Sequence, residues 1–259
     1  ATVIGQIVSF MMVVWYMRHY KTAKIERKHL IPCKEFVFRT LHLGMAQGLN
    51  QLAMMIVQIV MNQSLKYYGG LSIYGASIPI ACAGIIMKYF SICIGVAQGI
   101  QPIASFNTGA GNYDRVKKTY KIAVTCNTVV STIAFLIFQL FPRQIIGIFG
   151  SGSNEYFMFA EKFFRIFLFM TFLNGIQPIT STFCTVIGEP NKGTFLSLTR
   201  QIIFLLPLLV ILPIIFIKIG LEGVEGIMFS APIADFVAAV ISLIVINGVF
   251  KNFEKKSGR

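Results

Sequence analysis

The sequence predicts an all-α fold: a polytopic membrane helix bundle with seven transmembrane helices in this chain. Three observations carry that expectation. Of 259 residues, 55% are hydrophobic and only 13% charged, with a mean hydropathy of +0.71, whereas in soluble domains about a quarter are charged. The apolar residues gather into seven runs near or above the roughly twenty residues that cross a hydrocarbon core. Lys and Arg fall in alternate gaps between these runs, the pattern of basic loops kept on the cytoplasmic side. The net charge of +13 is thereby assigned to topology; the expected partner is the lipid bilayer, and no nucleic acid is expected.

The first run, residues 1 to 17, has no charged residue, no initiator Met and no basic leader, so the start reads as a cut inside a helix. Residues 18 to 39 form a basic connector with seven Lys and Arg, either an interfacial amphipathic helix or a cytoplasmic loop. The second run covers 40 to 65, the third 72 to 98, the fourth 121 to 141, the fifth 156 to 187, the sixth 194 to 217 and the seventh 223 to 250. Besides the connector, the basic gaps are 112 to 121 with four Lys and Arg, 188 to 200 with Lys192 and Arg200, and the tail from 251 with four. The opposite gaps hold only Lys66, Arg143 and Lys218. The C-terminus is therefore expected in the cytoplasm of a multi-pass protein. Within the third-to-fourth connection, the turn is expected at Gly109-Ala110-Gly111-Asn112. A heptapeptide echo, Gly99 to Ser105 (GIQPIAS) and Gly175 to Ser181 (GIQPITS), falls out of register and is assigned to chance or to local helix-breaking chemistry. The five cysteines form no CxxC pair and are expected as small buried hydrophobes, with neither disulfide nor metal.

The residues that can carry chemistry lie inside the spans. Gln47, Asn50, Gln51, Gln58 and Asn62 recur at helical spacing on one face of the second span. Carboxamides in hydrocarbon need partners, so the stripe is either the wall of a substrate cavity or interhelical hydrogen-bond glue; the cavity is the reading preferred. Met54, Met55 and Met61 beside it suit a wall that accepts varied apolar ligands. Lys88 and Asp235 sit near the middle of the third and seventh spans, where a charge costs about 2.5 to 3.5 kcal/mol to insert and marks a polar pathway or a partner. They are expected to line the pathway, and their similar depth allows a pair. Glu161 and Arg165, four apart, are expected to pair along one helix. Asn174 and Gln177 precede Pro178, which frees a carbonyl and bends the helix, so a binding site or hinge is expected there. No HExxH, GxSxG or GxxxxGK[ST] motif occurs in the sequence, so no enzyme and no cofactor is expected.

The third span ends in GVAQGIQPIASFNTGAGNYDRVKK (Gly95 to Lys118). This resembles the corresponding stretch of multidrug and toxic compound extrusion (MATE) transporters, through Gly95, Gln98, Gly99, Gln101, Pro102, Ile103, Asn107, Gly109, Ala110, Tyr113, Arg115 and Val116. Ile187-Gly188-Glu189-Pro190 with Ser197 to Gln201, and Gly223 to Gly226 with Ala231 to Asp235, resemble later segments of the same family. The resemblance implies half of a twelve-helix transporter: residues 1 to 17 the last helix of an N-terminal bundle, 18 to 39 the inter-bundle linker, 40 to 259 a complete C-terminal six-helix bundle with its tail. It implies export of small, drug-like and often cationic compounds from a bacterium across its inner (plasma) membrane, coupled to inward flow of sodium ions or protons by alternating access, with the missing N-terminal bundle as partner. The second span lacks the acidic residue of NorM-type members, so neither ion is chosen. The alternative is a flippase for a lipid-linked sugar, which would need several inward-facing basic residues.

Overall fold

In the computed structural model, residues 2–19, 33–149 and 154–257 are described, and they are helical almost throughout. Eleven α-helices occur among the described residues: α1 (Thr2–Arg18), α2 (Lys34–Leu71), α3 (Ser77–Gly99), α4 (Gln101–Gly109), α5 (Tyr113–Leu140), α6 (Pro142–Phe149), α7 (Asn154–Phe167), α8 (Gln177–Val186), α9 (Pro190–Leu198), α10 (Leu206–Lys218) and α11 (Gly223–Ser257). A 3₁₀ turn, Thr171–Gly175, separates α7 from α8, and a π turn, Thr199–Leu205, joins α9 to α10. The chain divides into two compact units, Ala1–Leu43 and Gly44–Arg259.

Among the described residues, four helical stretches are long and apolar enough to cross a membrane: Ser77–Gly109, Tyr113–Leu140, Pro190–Lys218 and Gly223–Phe253. The other three expected spans differ for identifiable reasons. The first is α1, a short apolar helix of 17 residues. The second is α2, whose 38 residues reach about 57 Å at 1.5 Å per residue; it is long enough, but its amides lower its hydropathy. It starts at Lys34 rather than at 40, because apolar composition marks the part of a helix in hydrocarbon and not where its hydrogen bonding begins. Residues 20–32 of the expected connector lie outside the described residues. The fifth span is not one helix: α7 ends at Phe167, the chain passes through the 3₁₀ turn, and α8 restarts with Pro178 in its first turn. Proline gives no N–H to the carbonyl four residues back. Gly175 permits the break, since a Cβ there would lie 2.6 Å from Thr128 Oγ1 and 2.8 Å from the Thr128 Cα of α5.

The expected turn at 109–112 is present. Asn112 N–H donates to the Asn107 carbonyl at 2.9 Å, and Gly111 sits at φ 73°, the left-handed region that glycine adopts without cost.

The second unit buries two apolar clusters. One joins α2, α3, α7, α10 and α11 around Phe159, Phe163, Phe164 and Phe167, with the Phe163 ring stacked 5.6 Å from Phe159 and 5.2 Å from Phe167. The other joins α4, α5, α8, α9 and the far end of α11 around Tyr120, Ile179, Phe183 and Val249. Between them in sequence along α5 and α11 lie buried polar residues, Asn127 and Ser131 on α5 and Asp235 on α11. The outer surfaces of α5, α10 and α11 expose Val129, Ile133, Ile211, Ile214, Phe236 and Ile244, an apolar exterior suited to lipid.

Candidate binding cavity

A cavity of about 260 Å³ lies within the second unit. Its wall on α2 is Asn50, Gln51, Met54, Gln58 and Met61, positions that share one face at steps of three, four and seven. Facing them are Met87, Phe90 and Gln98 of α3, with Gln101 at the start of α4. The broken fifth span supplies Asn174 and Gln177, and the π turn supplies Arg200 and Gln201. Carboxamides thus line the cavity from six elements, interleaved with thioethers and a phenyl ring. Part of this lining is fixed. Gln177 Nε2 donates to the Leu196 carbonyl at 3.2 Å, and the Ser181 hydroxyl donates to the Gly193 carbonyl at 2.7 Å and lies 2.9 Å from Ser197 Oγ.

Behind the wall is a buried ion pair. Arg200 donates through Nε and Nη2 to Asp235 Oδ1, at 2.7 and 2.6 Å, and Asn174 Nδ2 donates to Asp235 Oδ2 at 2.9 Å. The side chain of Asp235 is 2% exposed and that of Arg200 11%. The guanidinium carbon also lies 5.5 Å from the centre of the Phe90 ring. Both carboxylate oxygens therefore have partners, and the Coulomb attraction offsets the desolvation of each charge. The π turn sets this geometry. Pro207, just beyond it, has no N–H to offer the Ile203 carbonyl and would crowd it, and the wider turn relieves that contact while carrying Arg200 and Gln201 to the cavity.

A sequence profile of the MatE family matches residues 47–211 of this chain. The chain belongs to the MatE family. Among curated relatives of this MatE chain, the multidrug export protein MepA of Staphylococcus saprophyticus is 24% identical over 250 residues, covering 95% of the chain and 52% of that protein. MepA of Staphylococcus haemolyticus is 22% identical over 242 residues, covering 93% and 50%. The chain spans about half the length of the curated relatives it matches. Of solved structures, an outward-facing multidrug resistance MATE family transporter of the MOP superfamily has a TM-score of 0.84 at 18% identity, covering 98% of this chain and 56% of that one. A MOP superfamily transporter from Pyrococcus furiosus has a TM-score of 0.82 at 17% identity, with the same coverage. The fold is that of the MATE transporters.

The MatE cavity gathers Asn50, Gln51, Gln58, Asn174 and Gln177 of the expected site residues. Asn62 is half-buried on α2 and does not line it. The side chain of Gln47 lies outside the described residues. The geometry corrects the pairing of Lys88 with Asp235: Lys88 is exposed on α3, its neighbour Met87 faces the cavity, and Asp235 pairs with Arg200. By sequence Arg200 falls in the weakest basic gap, after Lys192; the helix is continuous through it, and its side chain is buried against Asp235. Glu161 is likewise approached by Arg143, at 3.8 Å, and not by Arg165. Cys82, Cys93 and Cys184 are buried as expected, while Cys33 and Cys126 are exposed.

Sequence reasoning missed Gln98, Gln101, Gln201 and Arg200. A signal for two of the cavity's glutamines was present in the heptapeptide echo. Gln101-Pro102 and Gln177-Pro178 each open a new helix after an interrupted turn at Ile100 and Ile176, and both glutamines reach the cavity. The echo is local helix-restarting chemistry used twice.

Proposed function

We propose that this chain forms one half of a secondary multidrug exporter in a bacterial plasma membrane, with an N-terminal bundle closing the other side of the cavity. The observation that carries the reading is the cavity itself. Amides from six elements offer both donors and acceptors, Met54, Met61 and Met87 adapt to apolar shapes, and the wall is built at a discontinuous helix, as transporter sites commonly are. Such a lining suits small, drug-like molecules of varied structure, organic cations among them. The curated relatives are multidrug export proteins, which supports the same direction. In this reading transport proceeds by alternating access, coupled to inward sodium ion or proton flow, with the C-terminus in the cytoplasm. A lipid-linked pyrophosphate would call for several free basic groups. Among the described residues, the lining offers only Arg200, already bonded to Asp235.

The test is dye efflux by the full-length parent in a host lacking its own pumps. Ethidium accumulation is expected to fall when the protein is in the membrane. Accumulation at the level of empty vector would overturn the reading. Reconstituted residues 1 to 259 alone are expected to show no vectorial efflux, because one wall of the pathway is missing.

A further inference from the structure

The outer face of α5 ends in charge. Ile122, Val129, Ile133, Leu136 and Leu140 are exposed and recur at steps of three, four and seven, so they form one apolar stripe. Among the described residues, α5 lines no part of the cavity, which makes the stripe exterior. Continued toward the start of the helix, the same steps reach Lys118 and Arg115, both exposed, with Lys121 exposed on the flank. From Ile122 to Leu140 the stripe is about 27 Å long at 1.5 Å per residue, close to the roughly 30 Å of a hydrocarbon core. Lys118 and Arg115 stand about 6 and 10 Å further along the axis, at the depth of the headgroups, and Lys121 is long enough to snorkel to the same layer. The far end of α11 meets α5 here. The Tyr113 and Phe253 rings lie 5.0 Å apart, and the Lys117 ammonium lies 5.9 Å from the centre of the Phe250 ring. Lys251, next along α11, is exposed.

These cations have no counter-charge of their own. Among the described residues, Arg115, Lys118, Lys121 and Lys251 take part in no ion pair, and Asp114, exposed at the start of α5, pairs with none of them. At the opposite end of the bundle, by contrast, Arg143 is approached by Glu161, and Lys162 is bonded to Glu225. We propose that the outer face of α5 is a docking site for an anionic diacyl phospholipid, its phosphate held by Arg115, Lys118 and Lys121 with Lys251 beside them, and its acyl chains lying along the stripe below. The Arg115 fork can meet two phosphate oxygens, and the lysines act as point charges. Each basic residue close to an anionic lipid surface strengthens attachment about fivefold. A free phosphate would satisfy the cations and leave the stripe unused. A phosphatidylcholine would use the stripe but carry no net charge to the cations. The site concerns the exterior of the bundle and holds whatever the cavity carries.

The experiment uses two phospholipids with the same fluorescent acyl chain, a phosphatidylglycerol and a phosphatidylcholine. Binding of each to the purified full-length protein in detergent is measured by fluorescence anisotropy. Phosphatidylglycerol is expected to bind at least about tenfold tighter, a discount on the three cations taken at fivefold each. In Arg115→Gln/Lys118→Gln/Lys121→Gln the two lipids are expected to bind within twofold of each other, with phosphatidylcholine unchanged. All three positions are exposed, so the variant is expected to keep its unfolding midpoint, measured in parallel. Lys66→Gln/Lys218→Gln, exposed at the other end, is expected to keep the full preference. Glycerol 3-phosphate in hundredfold excess over the labelled lipid is expected to displace little of it. Equal binding of the two lipids by the native protein, binding of neither, a preference that survives in the triple variant, or a preference lost in Lys66→Gln/Lys218→Gln would each overturn the assignment. Full displacement by glycerol 3-phosphate would make the site one for a free phosphate and overturn the lipid as its occupant.

Discussion

Breaking the Arg200–Asp235 pair from one side should cost far more than removing both charges. Asp235 is 3% exposed, with guanidinium contacts of 2.6 and 2.7 Å on one oxygen. For charges roughly 4 Å apart at an effective dielectric near 20 the attraction is about 4 kcal/mol. Arg200→Gln leaves a buried carboxylate with only the Asn174 bond, and an uncompensated buried charge of this kind destabilises by about 3 to 5 kcal/mol. Asp235→Asn is milder, about 1 to 3 kcal/mol, because Arg200 lines the cavity and keeps an amide oxygen as acceptor. The double variant, with two neutral amides, should cost only about 1 to 2 kcal/mol, so the singles are non-additive by at least about 2 kcal/mol. Thermal unfolding of the purified protein in detergent reads this directly, with Arg200→Gln expected to lower Tm by roughly 6 to 20 °C. Additive Tm losses in the double variant, or a single-variant loss below about 2 °C, would refute the pair as a buried, mutually dependent unit.

Gly175→Ala should lower Tm by several degrees, as the added Cβ meets the Thr128 main chain at 2.8 Å and overpacking of this kind costs about 1 to 3 kcal/mol; Gly95→Ala, with open space around its position, should hold or raise Tm in the same assay. Lys88→Gln, at an exposed position, should change stability by less than about 0.5 kcal/mol, measured as an unchanged unfolding midpoint; a loss comparable with that of Arg200→Gln would put Lys88 back among the structural ion pairs.

What the sequence disclosed depended on the physical signal available. Apolar length made α3, α5, α10 and α11 legible, because hydrocarbon imposes that length on any helix that crosses it. The break in the fifth span was only half legible. Pro178 announces a fault, but the 3₁₀ turn from Thr171 depends on how closely Thr128 of α5 approaches Gly175, a tertiary contact with no local trace. Charge was the least legible. Arg200 reads as one more loop cation when positive residues are counted by gap, and its partner lies 35 positions away. Depth alone suggested Lys88 for Asp235; rotation about the helix axis decided otherwise, placing Lys88 on the exposed side of α3.

The same reasoning explains why α2, a long helix rich in carboxamides, matters most to the cavity. A hydropathy average treats Asn50, Gln51 and Gln58 as defects in a membrane helix. Yet a carboxamide facing lipid would be left without partners, and these three line the cavity together with Met54 and Met61. On the same side of α2, Ala53, Val57 and Leu65 are buried, Val57 also lining the cavity, and on the other side Leu52, Ile56 and Ile59 are exposed. The helix therefore sorts its surface into an apolar exterior and an inward side that carries both core and polar wall, and a single average over 38 residues cancels that information. In a chain of this kind a shortfall in hydropathy confined to one helical face marks the wall of a pathway.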